Sequence, residues 1–307
     1  MSICAAIILS IAASAAYYNT YNVLVTIPDA NGCSKMQGFA AGDTYLYCAK
    51  INGAETKQII YRARQSDGTL TQMKNGDTNK MFATYLGHAN DIVLANDGTS
   101  SCMYIPTMKN DGQGFVKLRY SGTTYYHAAD YDLRYNGEPI RMGGAELLGK
   151  DTDNLYFLFF EWPGDNTGHS FYKATVEKNQ PSGIVNVTHA FDIDYENAKV
   201  NGSVIDNISA YRHQGIGYKA GTDRLYVPMT YDNISVILVY DNVSQASGTI
   251  MASEDLSFRI TSKAFPTLFE IESCDNANGK LWFSCNRKTD PDDLEHDAIC
   301  YFKEYTP

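Results

Sequence analysis

Five polar residues, Gln37, Asn90, Glu146, Gln214 and Glu272, each open a short segment of one design. The segment crosses a small apolar stretch, turns at Gly, Asn or Asp, and re-enters an apolar-aromatic strand. Near these anchors lie His88, Asp91, Arg141, His213, Glu270, Asn286 and Arg287. Carboxylates, imidazoles and amides gathered at one place would bind a sugar, a cation or a peptide end. The carboxylates Asp91, Glu146 and Glu272 would also do acid–base work on a glycosidic bond, if two of them stand at a suitable separation. The competing reading is that the anchors cross-link neighbouring elements, since buried polar atoms must find partners. The candidate ligand-binding set is Gln37, His88, Asn90, Asp91, Glu146, His213, Gln214, Glu270 and Glu272. No residue is assigned a catalytic role, and whether the chain is an enzyme stays open.

The elements that must position these residues follow from the repeat. Successive anchors lie 53, 56, 68 and 58 residues apart. A hairpin recurring at such a period implies radial blades, because one blade cannot bury both its faces alone. The expected fold is an all-β, five-bladed β-propeller of four-stranded blades. The first blade is expected over Met36–Ala41, Tyr45–Ala49, Gln58–Arg64 and Leu70–Lys74. The second takes Asn90–Ala95, Met103–Thr107, Phe115–Tyr120 and Thr124–Ala128. The third takes Met142–Leu148, Leu155–Phe160, Ser170–Val176 and Ile184–Phe191. The fourth runs through Gln214–Tyr218, Arg224–Pro228 and Ser235–Tyr240, with its last strand somewhere in Ser247–Ile260. The carboxyl-terminal stretch offers only three strands, and Val23–Pro28 is strand-like with no earlier partner. Placing it beside Ala298–Lys303 closes the ring and removes two exposed edges.

Composition agrees with that class. The 307 residues include 44% hydrophobic residues, 24 Gly, 9 Pro and 23 Tyr. Tyr favours pleated, half-buried surfaces, and apolar residues alternate with period two rather than 3.6. Residues 1–16 are apolar or small and end in Ala13-Ser14-Ala15-Ala16. They read as a secretory signal peptide too short to span a bilayer, and its missing charged start points to a truncated start or a misassigned start codon. Residues 17–307 would then form one exported domain. It keeps Cys33, Cys48, Cys102, Cys274, Cys285 and Cys300, with no C-x-x-C pair or zinc-ligand spacing. Folding the last two strands about their loop sets Cys285 roughly opposite Cys300 for a disulfide, and Cys33 and Cys48, which flank the first hairpin, are a second candidate pair. Buried free thiols are the alternative for the other cysteines.

The net charge of −10 argues against nucleic acid, which needs clustered Lys and Arg. It also disfavours simple attachment to an anionic surface. The acidic runs Asp192–Glu196 and Asp290–Asp293 match no EF-hand loop and read as solvated loops, so no metal or other cofactor is expected.

The segments Gly87-His88-Ala89-Asn90-Asp91, His213-Gln214-Gly215-Ile216 and Phe269-Glu270-Ile271-Glu272, each followed by its turn and aromatic strand, resemble helveticin-J-type bacteriocins over most of the mature chain. That resemblance implies a secreted antibacterial protein that recognises a surface component of target bacteria, a glycan or another receptor. The leader, the six cysteines and the Tyr content depart from the family pattern, and the resemblance assigns no catalytic residue. Two other classes stand beside it. One is a propeller glycoside hydrolase or lyase, although Gln37 stands where such propellers typically place an early Asp. The other is a non-toxic carbohydrate-binding module, for which Tyr rings would serve as stacking platforms.

Overall fold

The computed structural model describes residues 20–164, 168–291, 296–303 and 305–307. The expected signal peptide, residues 1–16, lies outside the described residues, as do Asp292 and Asp293. What is described is almost all β, with two single-turn 3-10 segments at Ile208–Ala210 and Val243–Gln245.

The first sheet is the meander Lys35–Ala41, Tyr45–Ile51, Gln58–Arg64 and Leu70–Gln72. The second comprises Val93–Asn96, Ser101–Pro106, Phe115–Ser121, Thr124–Tyr135 and Glu138–Pro139. Lys74–Asn75 and Gly183–Asn186 join it in parallel to Thr124–Tyr135. The third runs Met142–Lys150, Asn154–Glu161, Ser170–Glu177 and Thr188–Asp194, with Thr249–Met251 added in parallel. The fourth is built on Arg224–Tyr231, which pairs with Arg212–His213, Gly217–Lys219 and Ile234–Asp241; Phe258–Thr261 completes it. The last sheet is Leu268–Ala277, Lys280–Lys288, Ala298–Phe302 and Tyr21–Thr26. A separate two-stranded ribbon pairs Lys199–Val200 with Ser203–Val204.

Period-two alternation explains why the sheets stack around an axis. Successive side chains on a strand point to opposite faces. Phe157 and Phe159 accordingly pack against Tyr104 and Phe115 of the second sheet. Leu158 and Phe160 pack against Leu225 and Val227 of the fourth. Val236 and Leu238 take the same side as Leu225, whereas Ile237 and Val239 face Phe283 of the last sheet. Phe39, Leu46 and Cys48 of the first sheet meet Trp282 and Ile299 of the last, and Ala40 and Tyr47 meet Met103 and Ile105 of the second. Each sheet thus buries both faces against its neighbours, which is a β-propeller.

The closing strand stands where the sequence puts it: Val23 pairs with Cys300 and Thr26 with Ala298. Lys50, buried in the first sheet, fastens this closure. Its ammonium lies 2.8 Å from the Asp297 carboxylate, both side chains being fully buried, and donates to the Ile27 carbonyl at 3.2 Å.

Several expectations are corrected. Uniform four-stranded sheets are not found, because outer strands change sheets. The expected outer strand Ile184–Phe191 is split, its first half pairing with the second sheet and Thr188–Asp194 with the third. Within Ser247–Ile260, Thr249–Met251 joins the third sheet and Phe258–Thr261 the fourth. Asn90 precedes its strand rather than opening it, since pairing begins at Val93. The expected disulfide is absent: all six described cysteines are free and buried. Cys285 faces Ala298 and Cys300 faces Phe283, so the two cysteines are diagonal neighbours. Their sulfurs are 3.8 Å apart, against about 2.05 Å for a bond. Cys33 Sγ lies beside the Lys57 carbonyl at 3.4 Å.

Candidate functional site

The innermost strands approach so closely at the axis that two anchor segments require glycine. A Cβ on Gly38 would stand 2.6 Å from the Ala89 carbonyl oxygen, and one on Gly217 would stand 2.5 Å from that of Cys274. This closeness lets backbone groups bond from sheet to sheet: Gly38 N–H donates to Ala89 and Gly215 N–H to Glu272, both at 2.8 Å. The anchors beside these glycines are therefore carried to one mouth of the ring.

That mouth holds a cavity of about 750 Å³. Seven of the nine candidate residues line it: Gln37, His88, Asn90, His213, Gln214, Glu270 and Glu272. Gln214 Nε2 donates to Glu270 Oε1 at 2.9 Å, and Asn286 Nδ2 donates to Glu272 Oε1. Asn286 also clips the site to the first sheet, accepting from Met36 N–H at 3.0 Å. Asn90 Nδ2 donates to the Gly143 carbonyl at 2.7 Å, and His88 Nδ1 lies 2.9 Å from Glu55 Oε1. Glu272 is buried, and its pKa is raised well above the ordinary glutamate value. Burial is the first cause, and the adjoining Glu270 carboxylate is the next. Burial thus favours the protonated form of Glu272, and a protonated carboxyl offers both an O–H donor and acceptors to a ligand.

Asp91 and Glu146 lie elsewhere. Asp91 is 1% exposed, and Oδ2 accepts from Ala145 N–H at 3.2 Å and Ile216 N–H at 3.0 Å. Its Oδ1 accepts from Ser273 Oγ–H at 2.8 Å and Ile92 N–H at 3.0 Å. It therefore knits the third, fourth and last sheets at the axis. Glu146 accepts from Tyr218 N–H at 3.1 Å. Its pKa is raised by burial, then by the charges of Asp275 and Asp91. These two carboxylates cross-link sheets, and neither lines the cavity where the sequence reading expected them. Arg287 also turns away, donating to the His296 carbonyl at 2.7 Å and stacking on Phe265.

Sequence reasoning missed Trp162, Lys35, Arg212 and Lys288, which line the same cavity. Trp162 follows the strand Asn154–Glu161, where its N–H donates to the Arg141 carbonyl at 2.9 Å. It is one of only two tryptophans in the chain, and that rarity was the signal available. Lys35 and Lys288 flank Gln37 and Asn286 at a spacing of two, which places them on the same side of their strands. Among the described residues no group of three or more His, Cys, Asp or Glu side chains is arranged to hold a metal ion. Among them, too, no helix is long and apolar enough to cross a membrane.

The fold and this axial cavity define an all-β propeller with a polar mouth. No protein-family model matches the chain, and no curated protein matches it. Solved structures do. One is described as RS223-Beta-xylosidase, with 12% identity, a TM-score of 0.52, and coverage of 94% of this chain and 96% of that one. Another is a GH43_1 enzyme from Xanthomonas citri complexed with xylose, with 12% identity, a TM-score of 0.50, and coverage of 92% and 90%. At such identity the likeness establishes the propeller fold.

Proposed function

We propose that this chain is an exported, five-bladed propeller that binds a glycan in the axial cavity, with glycoside cleavage as a second reading. The observation that carries it is the composition of the cavity wall. The Glu270–Glu272 carboxyl pair is braced by the Gln214 and Asn286 amides, and the aromatic residue Trp162 lines the same cavity. Sugars present hydroxyl groups around a ring with apolar faces, so they need polar groups for the rim and an aromatic for the face. Cleavage is favoured by the likeness to structures described as a β-xylosidase and a xylose complex. A protonated Glu272 would be the proton donor to a leaving oxygen. Binding is placed first because Asp91 and Glu146, the other carboxylates near the anchors, accept from backbone N–H groups and do not line the cavity.

The test is titration calorimetry against a panel of neutral and acidic oligosaccharides, run beside a reducing-end release assay and a killing assay on bacteria. Saturable binding supports the reading, and release of reducing ends raises cleavage above binding. Killing would support the helveticin-J-like reading, for which the glycan would be the surface receptor. Absence of binding across the panel would overturn the proposal.

A further inference from the structure

Among the described residues, two side chains at the cavity carry buried polar atoms with no hydrogen-bond partner. Gln37 Oε1 accepts no hydrogen bond, and neither ring nitrogen of His213 makes one, although the residues are only 6% and 3% exposed. Orphaned hydroxyls also occur on Tyr104, Tyr125 and Tyr240, but those pack in the cores between sheets. Among the described residues with such orphaned atoms, Gln37 and His213 are the ones that line the cavity.

An unmade buried hydrogen bond costs the desolvation of the group, and His213 cannot turn to escape that cost. Its ring is held between Phe160 at 5.0 Å and Tyr195 at 4.8 Å, the latter edge-on at 83°. Burial also keeps the ring neutral, with the nearby His169 charge acting the same way. A neutral imidazole has one N–H donor and one bare nitrogen acceptor. Gln37 Oε1 adds a second acceptor. The neighbouring amide groups of Asn90, Gln214 and Asn286 already donate to Gly143, Glu270 and Glu272.

The complement of this set must both donate and accept. A carboxylate or phosphate offers only acceptors and would leave Gln37 Oε1 unserved. An ammonium offers only donors and would leave the His213 N–H unserved. A hydroxyl does both.

We infer that Gln37 and His213 form the subsite that recognises hydroxyl groups of a neutral sugar unit and discriminates against an acidic one. The inference rests on the glycan-binding reading above and names the ligand class and the residues that select it. Because Gln37 Oε1 and the His213 ring nitrogens make no hydrogen bond among the described residues, removing these polar atoms should cost binding and no stability.

Calorimetry with xylotriose, cellotriose and mannotriose, and with trigalacturonate as the acidic probe, tests this on the whole chain and on Gln37→Met and His213→Phe. The parent should bind a neutral trisaccharide at least about tenfold more tightly than trigalacturonate. Each variant should lose about tenfold in affinity, the worth of one buried hydrogen bond, while its melting temperature equals or exceeds the parent's. Parent-like affinity in both variants, or equal binding of trigalacturonate, would overturn the inference and leave the glycan reading standing. A lowered melting temperature in both variants would assign the residues to the scaffold and overturn it too. A parent that binds none of the four overturns the glycan reading, and this inference with it.

Discussion

The carboxylate of Asp91 accepts the backbone N–H of Ile216 at 3.0 Å, across 125 residues of chain. With Ala145, Ser273 and Ile92 as its other donors, this one side chain ties three neighbouring sheets to its own segment. Asp91→Ala would leave three buried backbone N–H groups and a hydroxyl without an acceptor. The expected loss is about 3 kcal/mol or more, since each unsatisfied buried group costs about 1–3 kcal/mol. Urea unfolding should show a lower midpoint at an unchanged m-value. A variant as stable as the parent would show that the axis is held by packing instead.

Closure by the amino-terminal strand should be cooperative with the rest of the ring. Deleting residues 20–30 removes Tyr21–Thr26 from the last sheet and the Ile27 carbonyl from Lys50. The melting temperature should then fall in a single transition, and an unchanged value would refute the closure.

Lys50→Met would strand the fully buried Asp297 carboxylate without its cation. Breaking one side of a buried pair typically costs about 3–5 kcal/mol, to be read from denaturant unfolding. A loss below about 1 kcal/mol would mean that Asp297 is compensated by other groups.

Two groups should give opposite pH dependences. Burial raises the Asp275 carboxyl to about 7, against the bonds it accepts from Ala41 and Asn276. The unfolded chain releases that proton near pH 4 and the fold keeps it, so this contribution to stability is lost as pH rises from 4 through 7. Burial lowers His213 to about 3. The unfolded chain takes up a proton below pH 6.5 that the buried ring refuses, so stability is lost as pH falls from 6.5 toward 3. Relative to the parent, Asp275→Asn should gain stability toward neutral pH and His213→Phe toward acid. Urea midpoints at pH 4, 5.5 and 7.5 measure both, and parallel profiles for parent and variants would refute the assignment.

The six described cysteines should behave as buried thiols. Reductant should leave the melting temperature unmoved, and peptide mapping after denaturation should recover Cys285 and Cys300 unlinked. A linked peptide would show that their strands slide by two residues from the pairing of Cys285 with Ala298.

What the sequence determined by itself is whatever local periodicity encodes. A continuous apolar run such as Phe157-Leu158-Phe159-Phe160 encodes a strand buried on both faces, and a polar anchor repeated before each such strand marks the inner edge of each sheet. The orphan strand near Val23 likewise had to find the edge beside Cys300, because both edges were otherwise unpaired. The tertiary structure decided the rest, because it depends on register and on atoms distant in sequence. Gln37 and Glu272 face the cavity whereas Glu146 is consumed by backbone donors, although all three are anchors at the same step of the repeat, and Asp91, one residue past the anchor Asn90, is consumed likewise. Nothing local marks which of these side chains will meet donors such as Ile216 and Tyr218 from another sheet. A two-residue offset between Cys285 and Cys300 left two thiols where a cross-link was expected, and the parallel strands Gly183–Asn186 and Thr249–Met251 chose their sheets through pairings that local pattern does not specify.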